Sequence, residues 1–403
     1  MIQRPAVSKL LVAALSLTSA WVALAADKPP VNLDLELAPI IIRAKIPGMA
    51  ALVLRGDRII AQGVAGVRKK GTAEPITLDD QFELCSAAKS MTATLAAMLV
   101  DEGKLQWNTT LPELFTDTVG LDPAWRKVTL RQLLVQRSGI TGFHLMAFSS
   151  SIRSAPEDIP RQRREFSNKL LKHEPDIPPG SKFAYSSPNY IVASSALEKI
   201  TGQSWEELMR SRLFSPLGIT GAGFGPPGTS GHVDQPWGHG SRSLNVLPIP
   251  VPGFGISPFD PGSPTADCPL ALAPAGLVHM PIKEWAKFVS MHLRGDPANP
   301  YRQVTLLKAE TFSRLHQLES GESDYAVGWF VGMRPWAKGS RPDDTGRVLF
   351  HEGNNFRWTS VVWLAPELDF AVLIVCNRGG MQKAVDEVAS ALIRFATPLK
   401  NSN

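Results

Sequence analysis

The chain has 403 residues, of which 44% are hydrophobic and 20% are charged, and its formal net charge is +5. This composition is that of an ordinary globular protein and excludes a disordered one. Because no basic cluster contains interleaved aromatic residues, the sequence predicts no nucleic-acid partner. The chain has three cysteines, Cys85, Cys268 and Cys376, which cannot all pair with one another. Disulfides therefore do not build this fold, although a single bridge between two of them would be compatible with the sequence.

The N-terminus has the pattern of a secretory signal peptide. Arg4 and Lys9 precede an apolar run, and Ala23 and Ala25 supply the small residues of a cleavage site. A membrane anchor is the alternative, but a run of about 15 residues is short for a bilayer span. We therefore predict that residues 1–25 are removed, which lowers the net charge from +5 to +3 and leaves no stable membrane span. The mature protein is predicted to be exported to the periplasm.

The first elements of the mature chain are a helix and two strands, predicted over residues 33–45, 49–54 and 59–64. A second helix is predicted to begin near Ser86 and to end at Gly103. Its apolar residues share one face at helical spacing: Met91, Leu95, Met98 and Leu99. The pattern indicates a buried helix.

The middle of the chain has a mainly helical pattern as far as residue 225. Its densest basic run, Arg161, Arg163 and Arg164, is interpreted as a solvated helix face. Residues 226–276 contain 11 of the chain's 33 prolines. That stretch is predicted to be largely irregular and to line a site.

Regular structure is predicted to return after residue 277. The predicted elements are a helix, four strands and a last helix, over residues 281–293, 329–331, 348–350, 359–364, 370–376 and 383–395. Strands from both ends of the chain can share one antiparallel sheet. We predict an α+β fold, with residues 31–105 and 277–403 in one α/β lobe and residues 106–276 in a helical lobe that carries an active-site loop at residues 226–276.

A serine and a lysine mark the start of the central helix. Ser86 lies where free backbone N–H groups favour developing negative charge, and Lys89 follows one turn later on the same face. A hydroxyl beside an amine at a helix N-terminus is a workable acylation centre. For this pair alone, the alternative is a capping serine with a solvent-facing lysine.

A tyrosine stands before the helix predicted to begin near Pro188, in the run Tyr185, Ser186 and Ser187. At such a turn, a phenol can face a cleft. A lysine ammonium nearby would favour the phenolate, which is a base for a serine hydroxyl. The alternative is a tyrosine at the edge of the core.

A third group of polar residues, His351, Glu352 and Gly353, ends the strand predicted over residues 348–350. Gly353 would let a substrate backbone approach closely, and the imidazole could donate a hydrogen bond to a substrate carbonyl or carboxylate. The alternative is a surface His–Glu pair. No second histidine stands at position 355, and the remaining histidines are scattered, so we predict no metal site.

The motifs Ser-x-x-Lys at Ser86, Tyr-x-Ser at Tyr185 and His-x-Gly at His351 resemble, in order and spacing, those of the penicillin-recognising serine hydrolases. That family includes class C β-lactamases, related DD-peptidases and family VIII esterases. Further similar stretches lie at residues 129–140, 216–220, 274–278, 327–329 and 351–377, so the resemblance runs from about residue 35 to residue 396. It implies an antiparallel sheet flanked by helices, with a mainly helical second lobe.

The resemblance also implies roles for the site residues. Ser86 would be the nucleophile, and Lys89 and Tyr185 would share the general-base work. The backbone N–H groups of Ser86 and Asn354 would form the oxyanion hole. The remaining substrate-binding residues would be His351, Gly353 and Ser187. Water would release the acyl group from Ser86, and no cofactor is implied.

Two departures from the family's motifs bear on the substrate. Ser187 replaces an asparagine whose amide contacts the lysine and the acyl side chain, and nothing in the sequence shows that Asn189 substitutes for it. His351 and Glu352 replace a lysine and a threonine, so a permanent positive charge gives way to an imidazole with an ordinary pKa of about 6.5 and to a carboxylate. Strong β-lactam hydrolysis is therefore not expected.

The sequence predicts a serine hydrolase that acts on a small ester, an amide or a peptidoglycan-derived compound. Esterase activity is narrowly favoured over β-lactamase or D-Ala-type peptidase activity. An alternative of another class is a catalytically silent relative that binds cell-wall peptides or acts as a sensor, although intact Ser86, Lys89 and Tyr185 argue against it. Cys85 is interpreted as a small buried residue and not as a second nucleophile. The sequence does not indicate the oligomeric state.

Overall fold

The computed structural model describes residues 28–142, 158–241, 243–246, 249–252, 255–318 and 323–397. The predicted signal peptide therefore lies outside the described residues. Among the helices in these ranges, none is long and apolar enough to cross a membrane.

The described chain alternates helices and strands. The helices, α1 to α11, are Asp34–Ala44, Lys89–Asp101, Leu111–Leu114, Leu130–Leu134, Ile159–Leu170, Ser187–Thr201, Trp205–Leu208, Ala273–Gly276, Ile282–Gly295, Ala309–His316 and Gln382–Ala396. The strands, β1 to β14, are Val31–Asn32, Gly48–Arg55, Arg58–Gly66, Gln81–Glu83, Gly223–Phe224, Gly238–Gly240, Ser243–Val246, Ile249–Pro252, Ser257–Phe259, Val278–Pro281, Phe330–Met333, Arg347–Asn354, Thr359–Ala365 and Phe370–Cys376. Most of these bounds match the predicted elements, but the strand predicted over residues 348–350 extends over Arg347–Asn354. The described residues between 226 and 276 are, as predicted, largely irregular with short strands.

A seven-stranded sheet joins strands from both ends of the chain, in the order β1-β3-β2-β14-β13-β12-β11. Its neighbours pair antiparallel except β1 and β3, which are parallel. All seven residues of β14 are buried. A strand covered on both faces needs apolar residues at every position, which explains the continuous apolar run there. The prediction of one sheet shared by both ends is confirmed.

Helices cover both faces of this sheet and divide the core in two. Leu373 packs on the face of α2 and α9, whereas Val372 and Ile374 pack on the face of α1 and α11. This alternation follows from the two-residue period of a strand. The α+β fold is confirmed, and the proposed division into two lobes stays a prediction.

The third motif lies within a strand and not at its end. Strand β12 pairs with β13 as far as Asn354, opposite Thr359. Its other neighbour, β11, reaches only to Phe350, opposite Phe330. The half of β12 that carries His351 and Gly353 therefore extends past its neighbour and lies at an edge of the sheet.

The interpretation of the basic run as a solvated face is wrong for Arg163. This side chain is completely buried, and its guanidinium donates to the carboxylates of Glu198, at 2.5 Å, and Glu206, at 2.7 Å. Arg161, two residues earlier, lies on the outer face of α5 and pairs with Glu165. Two residues turn a helix by about 200°, so neighbouring arginines in one run face opposite sides.

Candidate active site

The turn that carries the predicted nucleophile, Ser86, connects β4 to α2, and we call it the nucleophile turn. After Glu83 the chain forms a 3-10 turn, Cys85–Ala88, which runs directly into α2. The backbone of Cys85 has a φ of 48°, and its side chain is buried, as predicted. Within residues 82–99, every side chain is buried except that of Ser86. The turn thus exposes one hydroxyl from an otherwise closed segment.

The fully buried side chain of Lys89 contacts this hydroxyl. Its Nζ lies 3.1 Å from Ser86 Oγ and 2.7 Å from the carbonyl oxygen of Ala275. Ala275 belongs to α8, which packs so closely that a Cβ on Gly276 would lie 3.3 Å from the Ser86 nitrogen. Residues 274–278 stood out in the sequence as a family motif, but nothing there indicated that the Ala275 carbonyl contacts Lys89, because a backbone atom leaves no signal in residue type.

The aromatic ring of Tyr185 lies against the amine of Lys89. Nζ of Lys89 lies 4.9 Å from the ring centroid, and the ring is edge-on to Tyr325 and stacked on Phe330. The side chain is 39% exposed, so it forms part of the surface of the cleft. Within the described part of the chain, its hydroxyl makes no hydrogen bond to Ser86 or Lys89. The predicted proximity of tyrosine and lysine is present, while the shared base function stays a prediction.

His351 is buried and hydrogen-bonded at Nδ1. That nitrogen lies 2.7 Å from the carbonyl oxygen of Glu352, which can only accept, so Nδ1 carries a proton. Nε2 lies 3.4 Å from the hydroxyl of Tyr325. Tyr325 in turn contacts Tyr190, at 3.2 Å, and Tyr190 donates to the Leu134 carbonyl at 2.9 Å.

The expectation of an ordinary imidazole is wrong. Burial first, and then the charge of Lys89, lower the pKa of His351 to about 3. The ring is therefore neutral at physiological pH, with its one N–H donated to the Glu352 carbonyl and with only 1% of the residue exposed. It presents no charge and no free donor to a substrate.

The other departures from the family's motifs are Glu352 in the third motif and Ser187 in the second. Glu352 lies on the opposite face of β12, because alternate side chains of a strand point to opposite faces. On that face, burial and the nearby Asp386 of α11 raise the pKa of the Glu352 carboxyl. Asn189 does not replace the missing amide, because it is buried and bonded to Ser138, at 2.5 Å, and Gln136, at 2.7 Å. Ser187, the first residue of α6, is half-buried at the helix start.

Gly353 brings the third motif against the nucleophile turn. A Cβ at this position would lie 2.2 Å from the carbonyl oxygen of Leu84 and 2.3 Å from Ser360 Oγ. The glycine is therefore required by the protein's own backbone, not only by a substrate. Its neighbour Asn354 is exposed and accepts a hydrogen bond from the Gly380 N–H at 2.8 Å.

The comparison with protein families matches the Beta-lactamase model to residues 33–394. The chain belongs to the Beta-lactamase family. Its membership confirms the predicted family and the prediction of a serine hydrolase.

Two curated relatives of the Beta-lactamase family show how the chain compares in length. It is 28% identical to penicillin-binding protein 4 of Amycolatopsis lactamdurans, over 72% of this chain and 71% of that protein. It is 25% identical to the unguisins hydrolase ungD' of Aspergillus campestris, over 83% of this chain but only 59% of that protein. The chain thus spans less than two thirds of the fungal relative.

Solved structures of the family share the fold. The octameric penicillin-binding protein homologue from Pyrococcus abyssi superposes with a TM-score of 0.66 at 19% identity, covering 88% of this chain and 75% of that one. A D-stereospecific amidohydrolase from Streptomyces sp. gives a TM-score of 0.64 at 19% identity, covering 87% and 96%. At these identities the likeness concerns the fold alone.

Proposed function

We propose that this Beta-lactamase-family protein is an exported hydrolase that forms an acyl-enzyme on Ser86 and cleaves a small, uncharged ester or amide. The observation that carries the proposal is the accessible Ser86 hydroxyl, 3.1 Å from the amine of the fully buried Lys89. A hydroxyl is a weak nucleophile until a base takes its proton, and Lys89 is the side chain placed to do so.

In the proposed acylation, Ser86 Oγ attacks the carbonyl carbon of the substrate and passes its proton to Nζ of Lys89. The Ala275 carbonyl accepts a hydrogen bond from Nζ and so fixes its direction. Collapse of the tetrahedral intermediate expels the alcohol or amine with that proton. Water then attacks the acyl carbon and gives a proton to the base. The bond between Ser86 Oγ and the acyl group breaks, the base returns the proton to Oγ, and the acid is released.

The backbone N–H groups of Ser86 and Asn354 are proposed to stabilise the oxyanion of this intermediate. The first N–H groups of a helix have no partner within it, which suits Ser86 at the start of its turn. The close approach at Gly353 supports the placement of Asn354 beside that turn, since a side chain at position 353 would meet Leu84 O at 2.2 Å.

An uncharged substrate is supported by the third motif. The buried, neutral His351 stands where related β-lactamases have a lysine, and the tyrosine and phenylalanine rings around it, Tyr185, Tyr325 and Phe330, give the cleft an aromatic wall. At the position of His351, a free carboxylate would lose hydration without gaining the cation that a lysine in the third motif would supply. Esters and amides without such a carboxylate suit the wall better.

A phosphonate label tests the mechanism. A fluorophosphonate is expected to label wild type and Ser181→Ala, an exposed serine control, but not Ser86→Ala. Labelling of Ser86→Ala at the wild-type rate would refute the acyl-enzyme. Comparing kcat/KM for p-nitrophenyl butyrate and nitrocefin then tests the substrate class, and dominance of nitrocefin would show that β-lactamase activity is the better assignment.

Two other functions remain as outcomes of the same experiments. Turnover of D-alanyl peptides above p-nitrophenyl butyrate would assign a peptidase, an activity of the kind named for a Pseudomonas syringae structure with a TM-score of 0.64, a β-lactamase/D-alanine carboxypeptidase. Absence of turnover on all three classes, combined with binding of a muropeptide, would assign the silent binding protein.

Export is proposed from residues 1–25 alone. The mature N-terminus is expected at Ala26, two residues before the described part of the chain. N-terminal sequencing of the protein recovered from a periplasmic extract tests this, and an intact Met1 in that extract would contradict cleavage.

A further inference from the structure

A pair of buried carboxyl groups, Glu83 and Asp267, lies directly behind the nucleophile turn. Glu83 ends β4, three residues before Ser86, and Asp267 comes from the proline-rich segment. The Asn355 side chain bridges them: its Nδ2 donates to Glu83 Oε1 at 2.6 Å and to Asp267 Oδ1 at 3.2 Å. We call Glu83, Asp267 and Asn355 the carboxyl clamp.

The carboxyl clamp connects the two sides of the proposed oxyanion hole. Glu83 leads into the turn that carries the Ser86 N–H, and Asn355 directly follows Asn354. Asn355 Oδ1 also accepts the backbone N–H groups of Arg357 and Trp358, both at 2.8 Å, and so holds the loop after β12 in one shape.

Counting donors and acceptors indicates one shared proton. Asn355 supplies both of its N–H groups to one oxygen of each carboxyl, while Glu83 Oε2 and Asp267 Oδ2 are buried without a hydrogen-bond partner. Two adjacent carboxylates would repel each other in this position, whereas one proton held by the pair removes one of the two charges and lets one carboxyl donate to the other.

The titratable groups around the carboxyl clamp are consistent with one shared proton. Burial raises the pKa of Glu83, and the charge of Asp267 raises it further. Burial likewise raises the pKa of Asp267, against a lowering by the Arg357 guanidinium. Two thiols face the pair, and burial raises the pKa of Cys85 well above its usual value and that of Cys268 to about 11, so both are neutral. His279, opposite Glu83 on β10, turns its ring to the Gly225 carbonyl.

We propose that the carboxyl clamp, carrying one shared proton, sets the separation of the Ser86 and Asn354 N–H groups and thereby the stabilisation of the oxyanion. The proposal rests on the proposed acylation of Ser86. Glu83, Asp267 and Asn355 are positioning residues, because they touch neither the substrate nor the reacting atoms. Loss of the proton at alkaline pH would place two negative charges together and spread the two N–H groups apart.

Asn355→Leu tests the positioning role. With p-nitrophenyl butyrate, kcat is expected to fall at least tenfold while KM stays within twofold, and phenylboronic acid, which forms a tetrahedral serine adduct, is expected to bind more weakly by a similar factor. Asn299→Leu is the matched control, since Asn299 is a buried asparagine whose amide also bonds a carboxylate, that of Asp369, at 2.8 Å. A folded Asn355→Leu with kcat within threefold of wild type would overturn the proposal.

Glu83→Gln tests the shared proton with little change of shape. Its amide can accept from Asn355 and donate to Asp267, so kcat at pH 7 is expected within threefold of wild type. Wild type is expected to lose kcat at alkaline pH as the shared proton leaves, and Glu83→Gln is expected not to. Superimposable pH profiles would overturn the shared proton. If Asn355→Leu does not fold, this comparison decides alone.

Unfolding provides a readout that needs no activity. A raised carboxyl pKa in the native state means that stability falls as pH rises above the unfolded value. The melting temperature of Glu83→Gln relative to wild type is therefore expected to increase between pH 5 and pH 8, and a constant difference would contradict the shared proton. If the fluorophosphonate does not label wild type, both the proposed function and the catalytic role of the carboxyl clamp are overturned. If it labels wild type but Asn355→Leu and Glu83→Gln behave as wild type, only the proposal for the carboxyl clamp is overturned.

Discussion

Lys89 has no exposed surface, yet its Nζ lies 3.1 Å from the oxygen of Ser86, which solvent can reach. A charged or polar group is costly to bury without partners. The Ala275 carbonyl and the ring of Tyr185 supply them, at 2.7 Å and 4.9 Å from Nζ. The helix start thus combines a partly exposed hydroxyl with a buried amine.

Lys89→Met is expected to abolish the base while retaining the fold. Because positioned proton transfer contributes about 10²–10⁴-fold to rate, kcat/KM for p-nitrophenyl butyrate should fall by at least about 10²-fold. Loss of the donor to the Ala275 carbonyl should cost about 1–3 kcal/mol of stability, measured by urea unfolding. Lys199→Met, which removes a lysine paired with Asp117 away from the site, is the control. A Lys89→Met protein with wild-type kinetics would rule out the assigned base.

Gly353→Ala is expected to destabilise the protein. The new Cβ would stand 2.2 Å from Leu84 O and 2.3 Å from Ser360 Oγ, so β12 must move away from the nucleophile turn. The expected loss is about 3 kcal/mol in the free energy of unfolding, together with a lower kcat. Gly142→Ala, where a Cβ meets no described atom within 4 Å, should stay within about 0.5 kcal/mol of wild type. Equal stabilities of the two variants would contradict this packing.

Arg163→Met should unfold the helical part of the chain more readily than Arg161→Met. Removing Arg163 leaves the 9%-exposed Glu198 without its cation, at an expected cost of about 3–5 kcal/mol. Arg161 forms an exposed pair within α5, so its loss should leave the free energy of unfolding nearly unchanged. Chemical unfolding of both variants gives the comparison, and similar midpoints would show that the buried pair does not stabilise the fold.

His351 should make stability depend on pH. Its native pKa is about 3, while the unfolded chain binds the proton at about pH 6.5, so the stability due to the neutral ring is lost as pH falls through that range. Between pH 7 and pH 5 the loss attributable to this residue is about 2 kcal/mol. His351→Gln is expected to remove that part of the slope in urea unfolding. Other buried histidines with lowered pKa, among them His239, should keep the remainder. An unchanged slope in His351→Gln would show that the ring titrates normally.

Much of the secondary structure, the family and one contact of the candidate site could be predicted from the sequence alone. Apolar spacing predicted the helix after Ser86 and the paired strands of the sheet, because burial of one face imposes a period of 3.6 or 2 on the side chains. The three motifs identified the family, and the Ser86–Lys89 contact follows from their separation by one helical turn.

The sequence was misleading where a side chain's surroundings come from distant segments. Arg163 looked solvated because its partners lie 35 and 43 residues away, and His351 looked titratable because nothing in the motif indicates its burial. The carboxyl clamp had no signal at all, since Glu83, Asp267 and Asn355 are ordinary polar residues far apart in the chain.

The sequence by itself therefore determined most of the elements, the family and the contact between Ser86 and Lys89, all of which depend on local periodicity and spacing. Only the tertiary structure decided which charges persist in the cleft. Desolvation and long-range contacts set those charges: they hold His351 neutral, place Glu352 on the far side of β12 and bring Ala275 to Lys89. Such effects depend on what packs around a residue, and residue order alone does not contain that information.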